Sequence, residues 1–216
     1  PIKNYFKEEY NKESLVVRNI PPRIFFKQET IPSSKKENII VWQGAVNVER
    51  GLEELCEAMQ WIDAQLLIMG VGDIKSDLEK KVKTLQLEDK IHFLGRLPFE
   101  EMMNKTKNAK LAISIDKETN GNYAISLPNK IFEYIACSVP VLVSPLQEIK
   151  LIVEKYETGE FLSSYNPQDL AKQITNLLNN NIKLDLIAEN CKKAAKELCW
   201  ENEETQIFKT IKKLEK

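Results

Sequence analysis

Short apolar runs alternate with longer amphipathic stretches along most of the chain. The runs are Ile39–Trp42, Leu66–Met69, Ile91–Leu94, Leu111–Ile115 and Val141–Val143, and three of them are followed by glycine at Gly44, Gly70 and Gly95. Each is of strand length, and none alternates apolar with polar positions. Such continuous apolarity suits strands covered on both faces, as in a parallel sheet. Between the runs, Leu52, Leu55, Cys56 and Met59 recur at helical spacing, as do Ile74, Leu78, Val82 and Leu85. Leu170, Ile174, Leu177 and Leu178 form a further helical stripe. Strand and helix trading places every 20–30 residues or so is the cadence of right-handed βαβ units. The prediction is an α/β fold: a Rossmann-like doubly wound parallel sheet of about six strands flanked by helices.

Two flanks depart from this cadence. The first stretch carries an amphipathic opening from Ile2 to Tyr10, an apolar Leu15-Val16-Val17, and a Pro21-Pro22 break, followed by a polar loop over 28–38. The last stretch, from Trp200, sets Ile207, Ile211 and Leu214 on one helical face. The expected organisation is therefore a lead-in over 1–37, a Rossmann-like domain over 38–198, and a trailing helix over 199–216. Because the chain starts at Pro1 rather than methionine, it is expected to be cut from something longer.

Composition narrows the function classes. With 216 residues, 43% of them hydrophobic, the chain suffices for one well-buried α/β domain plus flanks. Its 31 basic residues nearly cancel its 32 acidic ones, so charge announces no nucleic-acid surface. An anionic ligand would have to be held by a local cluster or by backbone dipoles. Cys56, Cys137, Cys191 and Cys199 make no Cys-x-x-Cys pair, and His92 is the single histidine. Buried reduced thiols and a structural mid-strand histidine follow, rather than a zinc site. No apolar run nears the roughly 18–20 residues that cross a membrane, and no signal-peptide pattern is present. The Gly70-Val71-Gly72 turn lacks the third glycine of a dinucleotide fingerprint, because Lys75 stands there. There is no P-loop, no nucleophile elbow, no H-E-x-x-H and no Asp-x-Asp pair.

Open parallel sheets bind ligands outside the carboxyl ends of their strands, and the unusual residues cluster there. After the first run come Gly44 and, further on, Arg50-Gly51; after the fourth comes an irregular stretch from Asp116, containing Asn120-Gly121-Asn122-Tyr123. That stretch leads into Ser126-Leu127-Pro128-Asn129-Lys130-Ile131-Phe132-Glu133-Tyr134. Pro128 fits the first turn of a helix, so amides near Leu127 and Asn129 can form an anion site at the positive end of the helix dipole. Lys130 can add a full charge, and the Glu133 carboxylate can accept the paired hydrogen bonds of a ribose diol. Spacing alone favours the plainer reading, in which Lys130 and Glu133 are an exposed i, i+3 pair. Arg50 can bind a diphosphate bidentately or can be a solvated surface arginine.

In order, these blocks resemble the C-terminal domain of retaining glycosyltransferases of the GT-B fold, family 4. The likeness runs from Ile39 to about Gly159. It rests on Gly44 with Arg50-Gly51-Leu52, on Leu66–Gly72, on Ile91–Gly95, and above all on Ser126–Val141. The resemblance implies that the chain is one half of a GT-B fold, binding a UDP- or GDP-linked sugar as donor substrate with no metal and no other cofactor. It implies that Arg50 contacts the donor diphosphate, that Glu133 holds the ribose, and that amides near Leu127 and Asn129 contact phosphates and sugar. The base would lie against Gly95-Arg96-Leu97. Arg50 and Lys130 would stabilise the leaving diphosphate. Departures are also present. The first glutamate of the family's Glu-x₇-Glu motif falls at Ile125, the arginine after the first glycine at Ala45, and a late glycine at Ser138. Asn129 or Lys130 would then take over sugar recognition.

The function so implied is the donor-binding domain of a glycosyltransferase, of hexosyltransferase type, acting on a glycan or lipid-linked acceptor in polysaccharide biosynthesis. Its partners would be the nucleotide-sugar and an acceptor-binding first domain, with no nucleic acid, and the chain alone would be inactive. A cytoplasmic site follows, with peripheral association at the inner face of the plasma membrane open to the full-length enzyme. Two other readings share the pocket: a GT-B-type sugar-nucleotide epimerase, and a non-catalytic nucleotide-binding or scaffold module.

Overall fold

The computed structural model describes residues 2–26, 31–119 and 124–214, so the Asn120–Tyr123 segment lies outside the described residues. Among the described residues there are six strands: β1 (Ile39–Gln43), β2 (Gln65–Met69), β3 (Ile91–Gly95), β4 (Leu111–Ser114), β5 (Val141–Val143) and β6 (Gly159–Phe161). They form one sheet in the order β3-β2-β1-β4-β5-β6, and every neighbouring pair is parallel. The five apolar runs are thus β1 to β5, to within a residue or two at their ends. β6 has no such run because it is three half-buried residues at the sheet edge, Gly-Glu-Phe. An edge strand has one neighbour to satisfy and less apolar surface to bury, so its sequence carries little signal.

The longer helices among the described residues are α1 (Ile2–Tyr10), α2 (Leu52–Ala58), α3 (Lys75–Thr84), α4 (Phe99–Asn108), α5 (Asn129–Ala136), α6 (Gln147–Tyr156), α7 (Pro167–Leu178), α8 (Asn181–Glu197) and α9 (Trp200–Leu214). Helical spacing in the sequence marks the buried stripes. Leu52, Leu55, Cys56 and Met59 are fully buried, as are Leu170 and Ile174, while Leu78 and Val82 are nearly so. Each such side chain contributes about 1.5–3 kcal/mol on leaving water. α7 also shows its start locally: the Asn166 side chain accepts from the N–H groups of Gln168 and Asp169, with Pro167 in the first turn.

The core has two layers, one on each face of the sheet. On one face α2, α3 and α7 cover Ile40, Trp42, Leu66 and Ile68. On the other α4, α5, α6 and α8 cover Val41, Ala112, Val141 and Val143. Alternate residues of β1 therefore point into different layers, and that is why the strand reads as apolar throughout. The chain crosses from the first face to the second between β3 and β4. This places β1 and β4 side by side with their connections leaving on opposite faces.

The flanks behave unequally. α1 buries no residue, whereas Ile20 lies in the second core layer with Phe25 and Phe26 packed against it. Around them the lead-in is bound to the start of α9. Arg18 meets Glu203 through both its backbone N–H (3.0 Å) and its guanidinium (3.2 Å). The Trp200 N–H donates to the Pro21 carbonyl at 3.2 Å. Among the described residues no helix is long and apolar enough to cross a membrane.

Candidate functional site

The reversal of strand order between β1 and β4 opens a crevice at their carboxyl ends, where loops of both strands meet. A cavity of about 300 Å³ lies there, lined by Gln43, Gly44, Arg50, Asn129, Lys130 and Glu133, with Trp42 and Met102 forming apolar wall. Arg50 reaches it because Gly51 lets the chain turn into α2. Gly51 has φ +70°, and a Cβ there would stand 2.5 Å from the Ile115 carbonyl oxygen. Opposite, α5 begins at Asn129 with Pro128 as its capping residue, so Pro128 stands just before the first turn rather than inside it. The first-turn amides of α5 face the crevice by helix geometry, with the positive end of the dipole behind them.

Asp116, two residues beyond the end of β4, organises the charges. Its carboxylate is fully buried, with Arg50 Nη1 at 3.2 Å from Oδ1 and Lys130 Nζ at 3.5 Å from Oδ2. The Arg50 contact is an ion pair rather than an aligned hydrogen bond. Ser114 Oγ also lies 3.5 Å from Oδ2. The Asp116 carbonyl accepts from Tyr165, whose hydroxyl is 2.7 Å from Ser144 Oγ. The Lys130 ammonium sits 4.7 Å over the Trp42 ring, a cation–π contact away from water. Burial pulls the Lys130 pKa below its usual value and the nearby Arg50 charge adds to this, against the opposing pull of Asp116 and Glu133.

Two bland readings of the sequence are thereby overturned. Lys130 is not half of an exposed pair with Glu133, because its side chain is only 7% exposed and its close anion is Asp116. Arg50 is not a solvated surface group, because its side chain is 23% exposed and leans on a buried carboxylate. The physical reason is the same for both. The two cations lie on segments that converge only through the sheet, and the carboxylate they share comes from a third.

Glu133 stands one turn into α5 and is half-buried. Its carboxylate accepts a hydrogen bond from Gln43 Nε2. The Gln43 Oε1 in turn accepts from Thr106 Oγ1 at 3.1 Å, which fixes the amide's orientation. Next along the helix, Tyr134 accepts from the Gln43 N–H at 3.1 Å and donates to the Ile113 carbonyl at 3.3 Å, tying α5 to β1 and β4. Burial raises the Glu133 pKa, while the Gln43 hydrogen bond and the Lys130 charge hold it back.

Of the residues singled out in the sequence, Gly44, Arg50, Asn129, Lys130 and Glu133 line this one cavity. Leu127 lines a larger neighbouring groove of about 500 Å³, with Ile125, Ser126 and Asn129. Arg96, exposed, and Leu97 follow β3 at the sheet edge and line neither space. Ser138 adopts φ +54°, the left-handed conformation that explains why a glycine suits this turn. Asp116, Gln43 and Trp42 were not picked out. A polar residue closing an apolar run, as Gln43 and Asp116 do, was the available signal. Among the described residues, no group of three His, Cys, Asp or Glu side chains is arranged to hold a metal ion.

A doubly wound parallel sheet with a lined crevice at its switch point defines a Rossmann-like domain. The chain belongs to the family described as Glycosyl transferases group 1, which matches residues 24–198, and its fold is that of the C-terminal domain of a GT-B enzyme. It is similar to the uncharacterized glycosyltransferase MJ1178 of Methanocaldococcus jannaschii, at 26% identity over 93% of this chain and 54% of that protein. It is also similar to N-acetyl-alpha-D-glucosaminyl L-malate synthase of Bacillus anthracis, at 24% identity over 79% of this chain and 45% of that protein. Among solved structures, HepE of Anabaena in complex with UDP superimposes with TM-score 0.75 and 18% identity, over 92% of this chain and 57% of that one. Sucrose-phosphate synthase of Thermosynechococcus elongatus gives TM-score 0.80 and 19% identity, over 99% of this chain and 56% of that one. The chain spans about half the length of the curated relatives it matches.

Proposed function

We propose that this domain binds the nucleotide-sugar donor of a retaining, hexosyltransferase-type glycosyltransferase, whose whole chain transfers the sugar to a glycan or lipid-linked acceptor in polysaccharide biosynthesis. The observation that carries the reading is the convergence of Arg50, Lys130, the α5 N-terminus and Glu133 on one cavity at the switch point. A diphosphate needs fixed positive charge, and two cations with a helix dipole supply it. A ribose diol needs a paired acceptor, and the Glu133 carboxylate oriented by Gln43 is one. Solved neighbours of the same fold hold UDP, as HepE of Anabaena does, which supports a nucleoside diphosphate as the ligand class.

In this reading the donor diphosphate lies between Arg50, Lys130 and the first amides of α5. As the sugar–phosphate bond breaks, charge builds on the departing diphosphate and these groups stabilise it, with no metal required. The acceptor attacks from the same face of the sugar, held there by the other domain of the enzyme. Asn129 opens onto both the cavity and the neighbouring groove that contains Ile125, so it takes the sugar contact that a glutamate at Ile125 would make. The test is calorimetric titration with UDP- and GDP-sugars. One class is expected to bind saturably, and Arg50→Ala and Glu133→Ala each to weaken it by about 1–3 kcal/mol, the cost of a charged hydrogen bond. A folded protein that binds neither class refutes the reading, and turnover by this chain alone refutes the assignment of the acceptor to another domain.

A further inference from the structure

Lys130 is placed where an ammonium ion is hard to keep. It is 7% exposed, the one charged side chain among the buried residues of α5, with its ammonium over the ring of Trp42. The titratable and charged groups that bear on it come from three segments: Asp116 after β4, Arg50 before α2, and Glu133 on α5 itself. Arg50 repels it. Glu133 is engaged with Gln43. Asp116, wholly buried and 3.5 Å away, is the close counter-charge. An unpaired ammonium in such a place sheds its proton.

We propose that Asp116 is a positioning residue that keeps Lys130 in its cationic form and aims it, together with Arg50, at the phosphates of the ligand. This rests on the donor-binding reading above. The carboxylate is held for that task by its own surroundings: Ser114 Oγ on one oxygen, and the Tyr165 hydroxyl on its backbone carbonyl. One carboxylate between two cations leaves the cluster with a single net positive charge. A guanidinium is always charged, so withdrawing the carboxylate falls on Lys130, and the cluster then meets a phosphate with one cation instead of two. Burial lowering the Lys130 pKa against the pull of Asp116 has the same sign.

The experiment is Asp116→Asn, a substitution of equal shape without the charge, read in two ways. The first uses no ligand. The side-chain carbon signal of Lys130, assigned against Lys130→Arg, is followed by NMR between about pH 6 and pH 8. Lys130 is expected to be charged across this range in the native protein, and in D116N to lose its proton toward the upper end. The second is UDP and GDP titration. D116N is expected to bind the preferred nucleotide about tenfold more weakly near pH 8 and to recover as the pH falls, while the native protein changes little. A Lys130 signal that is the same in both proteins, or D116N binding equal to or tighter than native near pH 8, overturns the proposal. The latter result would mean that the carboxylate only competes with the ligand. If the native protein binds neither nucleotide, the donor reading fails, while the NMR arm still decides on the Lys130 charge. If D116N does not fold, the pair D116N/K130M decides. It is expected to fold and unfold as Lys130→Met does, and its failure to fold would make Asp116 a structural residue and end the proposal.

Discussion

Replacing Gln43 by leucine separates the two jobs that this residue does. Gln43 is 1% exposed at the end of β1. Its amide donates to Glu133 and accepts from Thr106 at 3.1 Å. Leucine has similar bulk, so the substitution opens no large cavity. Thr106 keeps a second acceptor, the Met102 carbonyl at 2.8 Å, and its hydroxyl is not stranded. Glu133 is the group that suffers: a half-buried carboxylate loses its charged hydrogen bond, which costs about 1.5–3 kcal/mol. The sign of the pH dependence follows. Burial already raises the Glu133 pKa and the Gln43 bond restrains it, so in Gln43→Leu the folded-state pKa rises further. An acid with a raised folded-state pKa contributes stability that is complete below its unfolded pKa and is lost as the pH climbs through the folded one. The variant is therefore expected to be least stable, relative to native, in mild base, and to close the gap in acid. Urea denaturation followed by circular dichroism measures it. The midpoint should fall by about 0.5–1 M near pH 8, and by less near pH 5. An equal gap at both, or a wider one in acid, would show that Glu133 is not the group deprived. Nucleotide affinity supplies a second reading, since a carboxylate that takes a proton can no longer accept from a ribose diol. The affinity of Gln43→Leu should fail at a higher pH than that of the native protein.

Two further outcomes come from the packing. Gly51→Ala forces a Cβ to within 2.5 Å of the Ile115 carbonyl at φ +70°; it should cost at least about 2 kcal/mol in denaturant melts and weaken nucleotide binding by moving Arg50. Burial pushes the thiols of Cys56 and Cys137 up to about 12 and raises that of Cys191 as well. None of the three should react with a disulfide reagent near pH 8 until the protein is unfolded, and prompt reaction of the native protein would contradict their burial.

The layered architecture could be read in advance because its causes are local. A strand buried on both faces has to be apolar at every position, and a covered helix has to repeat every three or four, so β1 and α2 declare themselves within a dozen residues. The edge strand β6 did not, because half-burial asks little of Gly159–Phe161. The helix start at Asn129 was legible for a similar reason, since Pro128 marks it from one position away. The charge cluster is different in kind. Arg50, Asp116 and Lys130 are distant in sequence, and their meeting depends on which strands become neighbours at the switch point.

The polarity of a residue such as Asp116 is visible at once, yet polarity alone fits a loop carboxylate in water as well as a buried one between two cations. Burial is what separates the two cases. Burial here follows from the pairing of β4 with β1, which brings the end of one strand under the loop of the other. The order of the argument therefore matters for the site. Lys130 three residues before Glu133 suggests an ordinary surface pair, and Arg50 next to Gly51 suggests an ordinary loop. Once the sheet order is fixed, the same residues face a single cavity, Glu133 is claimed by Gln43, and Lys130 has Asp116 as its close counter-charge. A buried ammonium needs such an anion, so the sequence position that looked least specific, Asp116 just beyond β4, becomes the one on which the charge of the cavity depends.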